Sequence, residues 1–206
     1  VSSPAPAGTR YGIGCWLDRR GPNGEVLQIS SPGAFGYTPW IDLERGVVGV
    51  VMVDYVNSLI QNDVWALQAS SRAELPFLGA ACYGVGTALC GTRMRLLTNE
   101  IPAVGSPSFA FTGEGAPPGA DGMLLVSAGS SVLGWPLLGV RIHVAPPVPV
   151  LLAVRADAAG RLVLPAPIPA GTRGAEVFTQ VLWAATPTCG ATGATGASSG
   201  LAVTVQ

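Results

Sequence analysis

Alternation of apolar and polar residues over short runs dominates the first third of the chain and predicts β-strands. Strands at 11–18 and 25–29 flank a turn rich in Gly, Pro and Asn at 19–24, which predicts an antiparallel hairpin. A strand at about 36–42 and a β-branched run at 47–54 follow. We therefore predict a sheet of three or four antiparallel strands at the start of the chain.

A helical period replaces this alternation from residue 58 to residue 74, before Pro76. The apolar side chains at the spacing of one helical face are Ile60, Val64 and Leu67, followed less regularly by Ser71. We expect this face to cover the sheet. The resulting two-layer slab would leave one sheet face and one helix flank without a partner, which suggests missing chain.

Short apolar runs separated by Gly, Pro and Ala turns make up the rest of the sequence. Seven or eight strands at this spacing predict a β-sandwich of about 120 residues. The predicted fold is mainly β, with an antiparallel sheet plus one helix (an α+β fragment) at 1–78 and an all-β sandwich at 79–206. The candidate strands of the second unit lie near 93–98, 107–113, 122–127, 139–145, 150–156, 160–165, 176–183 and 200–205.

Composition narrows the functional classes. The chain is 49% hydrophobic and 11% charged, with a net charge of -1 and no basic tract, which argues against nucleic-acid binding. Its longest apolar run, 47–53, is too short to span a bilayer. All 11 cationic residues are arginine, and the 28 glycines and 18 prolines are typical of secreted all-β proteins. Since it starts at Val1 without a leader, we expect a piece of a longer secreted or periplasmic protein.

The four cysteines form no pair at metal-ligand spacing, so we expect neither a metal site nor a cofactor. In an exported protein, one disulfide among Cys82, Cys90 and Cys189 is expected, with three pairings open. Cys15, on a predicted inner strand, is expected to be a buried free thiol.

Four segments carry a resemblance to a known family. They are Tyr11-Gly-Ile-Gly-Cys-Trp16, Ser31-Pro-Gly-Ala-Phe-Gly36, Trp40-Ile-Asp-Leu-Glu-Arg45 and Gly49-Val-Val-Met52. In these segments and their order, residues 1–75 resemble the C-terminal end of the penicillin-binding and serine β-lactamase-like superfamily, including its esterase and peptidase branches. The resemblance covers about a third of this chain.

This resemblance implies the geometry of an acyl-serine hydrolase. Ser31 would occupy the third-motif position, where classical members carry Lys, so a penicillin-type carboxylate clamp is not implied. The backbone N–H of Ala34 would be an oxyanion donor, and Gly33 would let substrate lie against the strand. The family's Ser-x-x-Lys nucleophile motif has no candidate here, because the chain contains no lysine. We expect cleavage of a small ester or amide only together with the missing catalytic part.

The second unit resembles the β-rich C-terminal domains of secreted planctomycete or myxobacterial proteins. The segments that carry this resemblance include Tyr83-Gly-Val-Gly-Thr87, Asp157-Ala-Ala-Gly160 and Phe178-Thr-Gln-Val-Leu-Trp183. It implies an adhesive, anchoring or spacer module, with surface or carbohydrate contact. The alternative for the whole chain is accordingly a non-catalytic secreted binding protein.

Several side chains have two interpretations. Phe35 and Trp40 are candidates to line a substrate groove, although core or interface burial competes for Trp40. Asp42 and Glu44 could be paired glycosidase carboxylates, but a turn hydrogen bond or an ion pair with Arg45 is the better interpretation. In the second unit, we expect His143 at a solvent-facing strand position and Trp183 in the core. Trp135, in a predicted loop, is the better candidate of these two tryptophans for stacking on a sugar ring, although stacking is not its favoured interpretation.

Overall fold

A computed structural model describes residues 10–12, 14–148, 150–189 and 194–206 of the chain. The protein is mainly β and divides into two compact units, Val1–Leu78 and Gly79–Gln206. The described part of the chain contains one α-helix.

The first unit is a five-stranded antiparallel sheet in chain order, followed by a helix. Alternating burial along its last two strands gives the sheet one covered face and one open face. Its elements are β1 (Arg10–Tyr11), β2 (Trp16–Arg20), β3 (Val26–Ser30), β4 (Tyr37–Asp42), β5 (Val47–Met52) and α1 (Asn57–Glu74).

The helix covers the sheet with a polar face. The prediction that Ile60, Val64, Leu67 and Ser71 pack on the sheet is wrong for Leu67, which is 50% exposed. The buried positions of the helix are Asn57, Gln61 and Gln68, together with the predicted Val64. The three amide side chains can be buried because they find hydrogen-bond partners. Gln28 Nε2 donates to Gln68 Oε1 at 2.9 Å, and Asn57 Nδ2 donates to Gln61 Oε1 at 2.7 Å.

The opposite face of the sheet is apolar and exposed. Tyr37 pairs with Met52 across β4 and β5, and Ile41 pairs with Val48. Met52 is 76% exposed and Val48 is 70% exposed. This is the open sheet face that the slab architecture predicts.

The second unit is β-sandwich-like. Its strands are β6 (Ala80–Tyr83), β7 (Arg95–Thr98), β8 (Ala110–Glu114), β9 (Asp121–Ser127), β10 (Ser130–Leu137), β11 (Val140–Val144), β12 (Val150–Arg155), β13 (Leu162–Pro165), β14 (Glu176–Ala184), β15 (Thr195–Ala197) and β16 (Gly200–Thr204). The central sheet has the order β12-β9-β14-β16-β6, with β15 paired to β14. A three-stranded sheet, β13-β8-β7, and a two-stranded ribbon, β10-β11, complete the unit.

Two cores form because successive side chains of the central sheet point to opposite faces. Leu124 and Trp183 pack with the three-stranded sheet, whereas Leu125 and Leu182 pack with the ribbon. The eight predicted strands are present within a few residues, but β6, β10 and β15 were not predicted. Strand β10 contains Gly134 and Pro136 and a register shift, so its sequence reads as a loop.

The disulfide joins Cys90 and Cys189, whose Cα atoms lie 5.3 Å apart. This settles the three open pairings and leaves Cys82 free and exposed. The prediction for Cys15 is wrong in two respects, since it is only half-buried and lies in a bend before β2. It is free, as expected.

Gly49 offers a test of the covered sheet face. It lies opposite Trp40 in the register, and a Cβ at this position would overlap the buried indole ring. We predict that Gly49→Val lowers the free energy of unfolding by about 1–3 kcal/mol through overpacking. Urea titration, with hydrogen exchange of β4 and β5 as the local readout, measures the effect.

The matched control is Val48→Ala on the exposed face of the same strand, which should change stability by less than about 0.5 kcal/mol. Equal stability of the two variants would show that Trp40 does not pack against Gly49.

Candidate functional site

The turn at residues 31–36, between β3 and β4, is held by four backbone hydrogen bonds. Ser31 N–H donates to Pro39 O at 3.1 Å, and Gly33 N–H donates to Tyr37 O at 2.7 Å. At the far end, the N–H groups of Asn57 and Val53 donate to the carbonyls of Ala34 (3.0 Å) and Gly36 (3.1 Å). We call this segment the Ser31–Gly36 turn.

Gly36 is required where this turn meets the end of β5. Its φ of 83° lies in the left-handed region, and a Cβ would overlap the carbonyl oxygen of Val53. A side chain at this position would therefore separate the turn from β5. The sequence signal for this constraint is the second glycine of Gly33-Ala-Phe-Gly36.

Ala34 presents a backbone donor at the tip of the turn. The residue is exposed, and its N–H has no acceptor among the residues that the structure describes. The peptide groups on both sides of the one that carries this N–H are hydrogen-bonded, through Gly33 N–H to Tyr37 O and through Ala34 O to Asn57 N–H, and these two bonds restrict its orientation. A donor of this kind can bind an anionic or polarised oxygen without reorganising.

An open depression of about 370 Å³ lies beside the turn. Its lining consists of Phe35, Gly36, Tyr37, Met52, Val53 and Asp54. Phe35 is 81% exposed and forms part of one wall. Sequence reasoning did not select Met52 or Asp54, since they become neighbours of Phe35 only through the pairing of β4 with β5.

Four of the five predicted site residues lie together in the turn: Ser31, Gly33, Ala34 and Phe35. The fifth, Trp40, is 8% exposed, so its role in a substrate groove is wrong and the competing interpretation, a buried position, is confirmed. The physical reason is strand parity. Trp40 alternates with Tyr37, Pro39 and Ile41, and it points to the covered face with Thr38.

The carboxylates of Asp42 and Glu44 stabilise the β4–β5 turn, as predicted. Asp42 Oδ1 accepts hydrogen bonds from the backbone N–H groups of Glu44 and Arg45, both at 3.1 Å. Glu44 Oε2 lies 2.9 Å from Arg19 Nη1 and 3.5 Å from Arg45 Nη1. With these partners the two carboxylates act as turn and ion-pair groups, which argues against a glycosidase pair.

Asp18 is a further acidic group in the layer between sheet and helix. Burial raises the pKa of its carboxyl, and hydrogen bonds from Ser30 and Gln28 and the charge of Arg72 oppose this only in part. The ionised form is therefore disfavoured in the folded state.

His143 is buried in the second unit, so the predicted solvent-facing position is wrong. It is 2% exposed, whereas Arg141, its neighbour two residues earlier, is exposed. With the proton on Nδ1, the ring donates to Ser131 O at 3.1 Å and accepts from Val85 N–H at 3.2 Å. Its side chain lies in a space left by Gly84 and Gly134, where a Cβ would meet the ring. The role of His143 is to join the ribbon to the 84–85 loop.

Of the two tryptophans of the second unit, one lies where it was predicted and the other does not. Trp183 is 2% exposed, which confirms its predicted core position. Trp135 lies in β10 rather than in a loop and is half-buried, and its Nε1–H donates to Val144 O at 2.9 Å.

Within the described ranges, no group of three or more His, Cys, Asp or Glu side chains is placed to hold a metal ion. No helix there has the length and apolar character needed to cross a membrane. The chain matches no family model, and neither curated proteins nor solved structures include a similar one at the level required for a match.

Asp18 makes a pH-dependent contribution to stability. Because its folded-state pKa is raised, this contribution is fully present below the unfolded-state pKa and is lost as pH rises through the folded-state value. We predict that Asp18→Asn increases the free energy of unfolding at pH 7, and that its advantage shrinks on acidification. Urea titrations of both proteins over a pH series measure the difference.

Asp63→Asn, on the exposed surface of α1, is the control for removing one negative charge. If both variants gained equally at pH 7, global charge rather than burial of Asp18 would be responsible.

His143 yields a second stability prediction. His143→Phe keeps a ring but removes both nitrogens, leaving Val85 N–H and Ser131 O without this partner. We expect the free energy of unfolding of the second unit to fall by about 1–3 kcal/mol. His143→Gln, which can restore one hydrogen bond, should lose less. Equal losses for Phe and Gln would indicate that ring packing, not hydrogen bonding, dominates.

Proposed function

We propose that the first unit supplies one wall of the active site of a secreted acyl-serine hydrolase that cleaves an ester or an amide. The observation that carries this is the N–H of Ala34, which has no acceptor among the described residues and lies on a turn fixed by four backbone hydrogen bonds. In the proposed reaction, this N–H stabilises the oxyanion that forms when a serine attacks the substrate carbonyl. The resemblance of residues 1–75 to the β-lactamase-like superfamily supports the same role.

The nucleophilic serine and its base come from outside residues 1–206 in this proposal, from a segment of the same polypeptide. The chain contains no lysine, so a Ser-x-x-Lys motif has no candidate in it. The exposed apolar face of the sheet, with Val48, Val50 and Met52, supplies a surface on which such a part could pack. Met52 also borders the depression beside Phe35, which is the proposed position of the substrate.

An oxidising compartment fits the covalent structure. The bond between Cys90 and Cys189 closes a loop across a sequence separation of 99 residues. Disulfides of this kind persist in secreted and periplasmic proteins and are rare in the cytosol. This supports export as part of the proposal.

The second candidate function is binding or anchoring by the second unit without catalysis. The observation that favours it is an apolar cavity confined to that unit, lined in part by Trp135. It requires no contribution from the first unit.

The hydrolase proposal predicts that residues 1–206 alone do not react with a fluorophosphonate probe or turn over p-nitrophenyl esters. The translated sequence upstream of residue 1 should contain Ser-x-x-Lys, and the protein that includes it should react. In that protein, Ala34→Pro removes the N–H and should lower kcat by about 10²–10³. Probe labelling and ester hydrolysis measure these outcomes.

Ala34→Gly is the matched control, since it retains the N–H and should keep most of the activity. Labelling of the isolated chain would refute the assignment of the nucleophile to another segment. An upstream sequence without Ser-x-x-Lys would refute the hydrolase proposal.

A further inference from the structure

The second unit contains an apolar cavity of about 490 Å³ that is open to solvent and within the range of small-molecule sites. One wall is the end of the β10–β11 ribbon, and the other is the face of the central sheet formed by β9, β12 and β14. The lining includes the apolar side chains of Met123, Leu125, Trp135, Leu138, Leu151 and Leu182.

The cavity has both a buried floor and an accessible mouth. Leu125 is 4% exposed and belongs to the core beneath the ribbon. Met123, Leu138 and Leu151 are 41%, 71% and 56% exposed. A ligand could therefore enter past these three side chains and displace water from apolar surface, which is favourable.

Polar groups in the lining are already committed to the protein. Trp135 Nε1–H donates to Val144 O at 2.9 Å, and the Thr195 hydroxyl donates to Leu138 O. The second of these bonds ties the ribbon tip to β15, so it also maintains the cavity wall. Neither group is available to donate to a ligand.

Asp121 is the charged residue of the lining. Its Oδ1 lies 3.8 Å from Arg155 Nε, and both side chains are largely exposed. Such an exposed pair is weak. Because Asp121 lines the cavity and Arg155 does not, the carboxylate is the charge that a head group at the mouth would meet, and it disfavours an anion there.

We propose that this cavity binds the alkyl chain of an amphiphile whose head group is uncharged or cationic. The apolar floor accepts the chain, and the head group stays at the mouth near Asp121. A sugar is a poor occupant, because burying its hydroxyls against committed donors would leave their hydrogen bonds unmade. The candidate stacking of sugar on Trp135 is thereby replaced by contact with hydrocarbon. This inference does not depend on the hydrolase proposal.

Calorimetric titration of the full chain with dodecyl maltoside, dodecyltrimethylammonium and dodecanoate, each below its critical micelle concentration, tests the inference. We expect saturable binding of the first two at one site, at least tenfold weaker binding of dodecanoate, and no binding of maltose. Binding of maltose, or of dodecanoate as tightly as the others, would overturn the assignment.

A charge introduced into the wall locates the site. Leu151→Glu should weaken dodecyl maltoside binding at least tenfold, because the chain would then lie against a carboxylate. Val163→Glu is the matched control, since Val163 is 68% exposed on β13 and does not line the cavity. Both positions are exposed, and circular dichroism checks that both variants fold. Equal affinities for the two variants would overturn the inference.

Flotation with phosphatidylcholine vesicles distinguishes the source of the chain. Binding of dodecyl maltoside without flotation supports a free amphiphile, and binding together with flotation that Leu151→Glu abolishes supports a membrane lipid. Flotation without saturable binding of the monomeric amphiphile would contradict a single-chain site.

Discussion

The side chain and backbone of Asn57 hold the candidate site of the first unit in place. Its N–H donates to Ala34 O, its Oδ1 accepts from Thr38 Oγ1 at 3.3 Å, and its Nδ2 donates to Gln61 Oε1. One residue at the start of α1 thus joins the Ser31–Gly36 turn, strand β4 and the next turn of the helix. Asn57 is 3% exposed, so leaving any of these groups unpaired would cost more free energy than a single hydrogen bond contributes. The three hydrogen bonds therefore favour this one arrangement of turn, strand and helix. Because polar side chains fill the layer between the sheet and α1, most of the apolar residues of β5 and several of those on α1 face outward.

Strands β3, β4 and β5 could be predicted from the sequence because local patterns of apolar and β-branched residues mark them. The single strand expected at 11–18 is instead two strands, β1 and β2, with a bend at residues 14–15 before β2. Helix α1 could be predicted because no glycine or proline occurs from residue 58 until Pro76. The buried face of α1 could not. Periodicity places Leu67 inward because leucine is apolar, whereas Gln61 and Gln68 count as surface residues. The burial of Gln61 depends on Asn57, and that of Gln68 depends on Gln28, which is 40 positions away in the sequence. A partner at that separation leaves no mark on local periodicity, so the correct helix was predicted with its face rotated.

The residues of the candidate site that lie close together in the sequence could be predicted, and those whose position depends on distant partners could not. Ser31, Gly33, Ala34 and Phe35 are adjacent in sequence, so their proximity in space followed from a turn alone. Trp40 was a candidate for the groove because of its aromatic ring. The alternation of side chains along β4 and the space left by Gly49 put it on the covered face instead. His143 was predicted to be exposed because its ring is polar, although it is buried. A polar ring on a strand is ordinarily exposed, and its burial needs Val85 N–H and Ser131 O together with the space left by two glycines.

Hydrogen-bonding capacity separates what the two units can recognise. At Ala34 the backbone is held by hydrogen bonds of the peptide groups on both sides, and the Ala34 N–H has no acceptor among the described residues, which suits an oxygen atom that gains charge. Around the cavity of the second unit, the Trp135 and Thr195 donors are satisfied by backbone carbonyls, and leucine and methionine form most of the remaining wall. Such a surface gains free energy mainly by excluding water, so it distinguishes ligands by apolar area and by the charge placed near Asp121. The two proposals therefore assign a polar substrate and a hydrocarbon chain to different units of this chain, and each can be tested without the other.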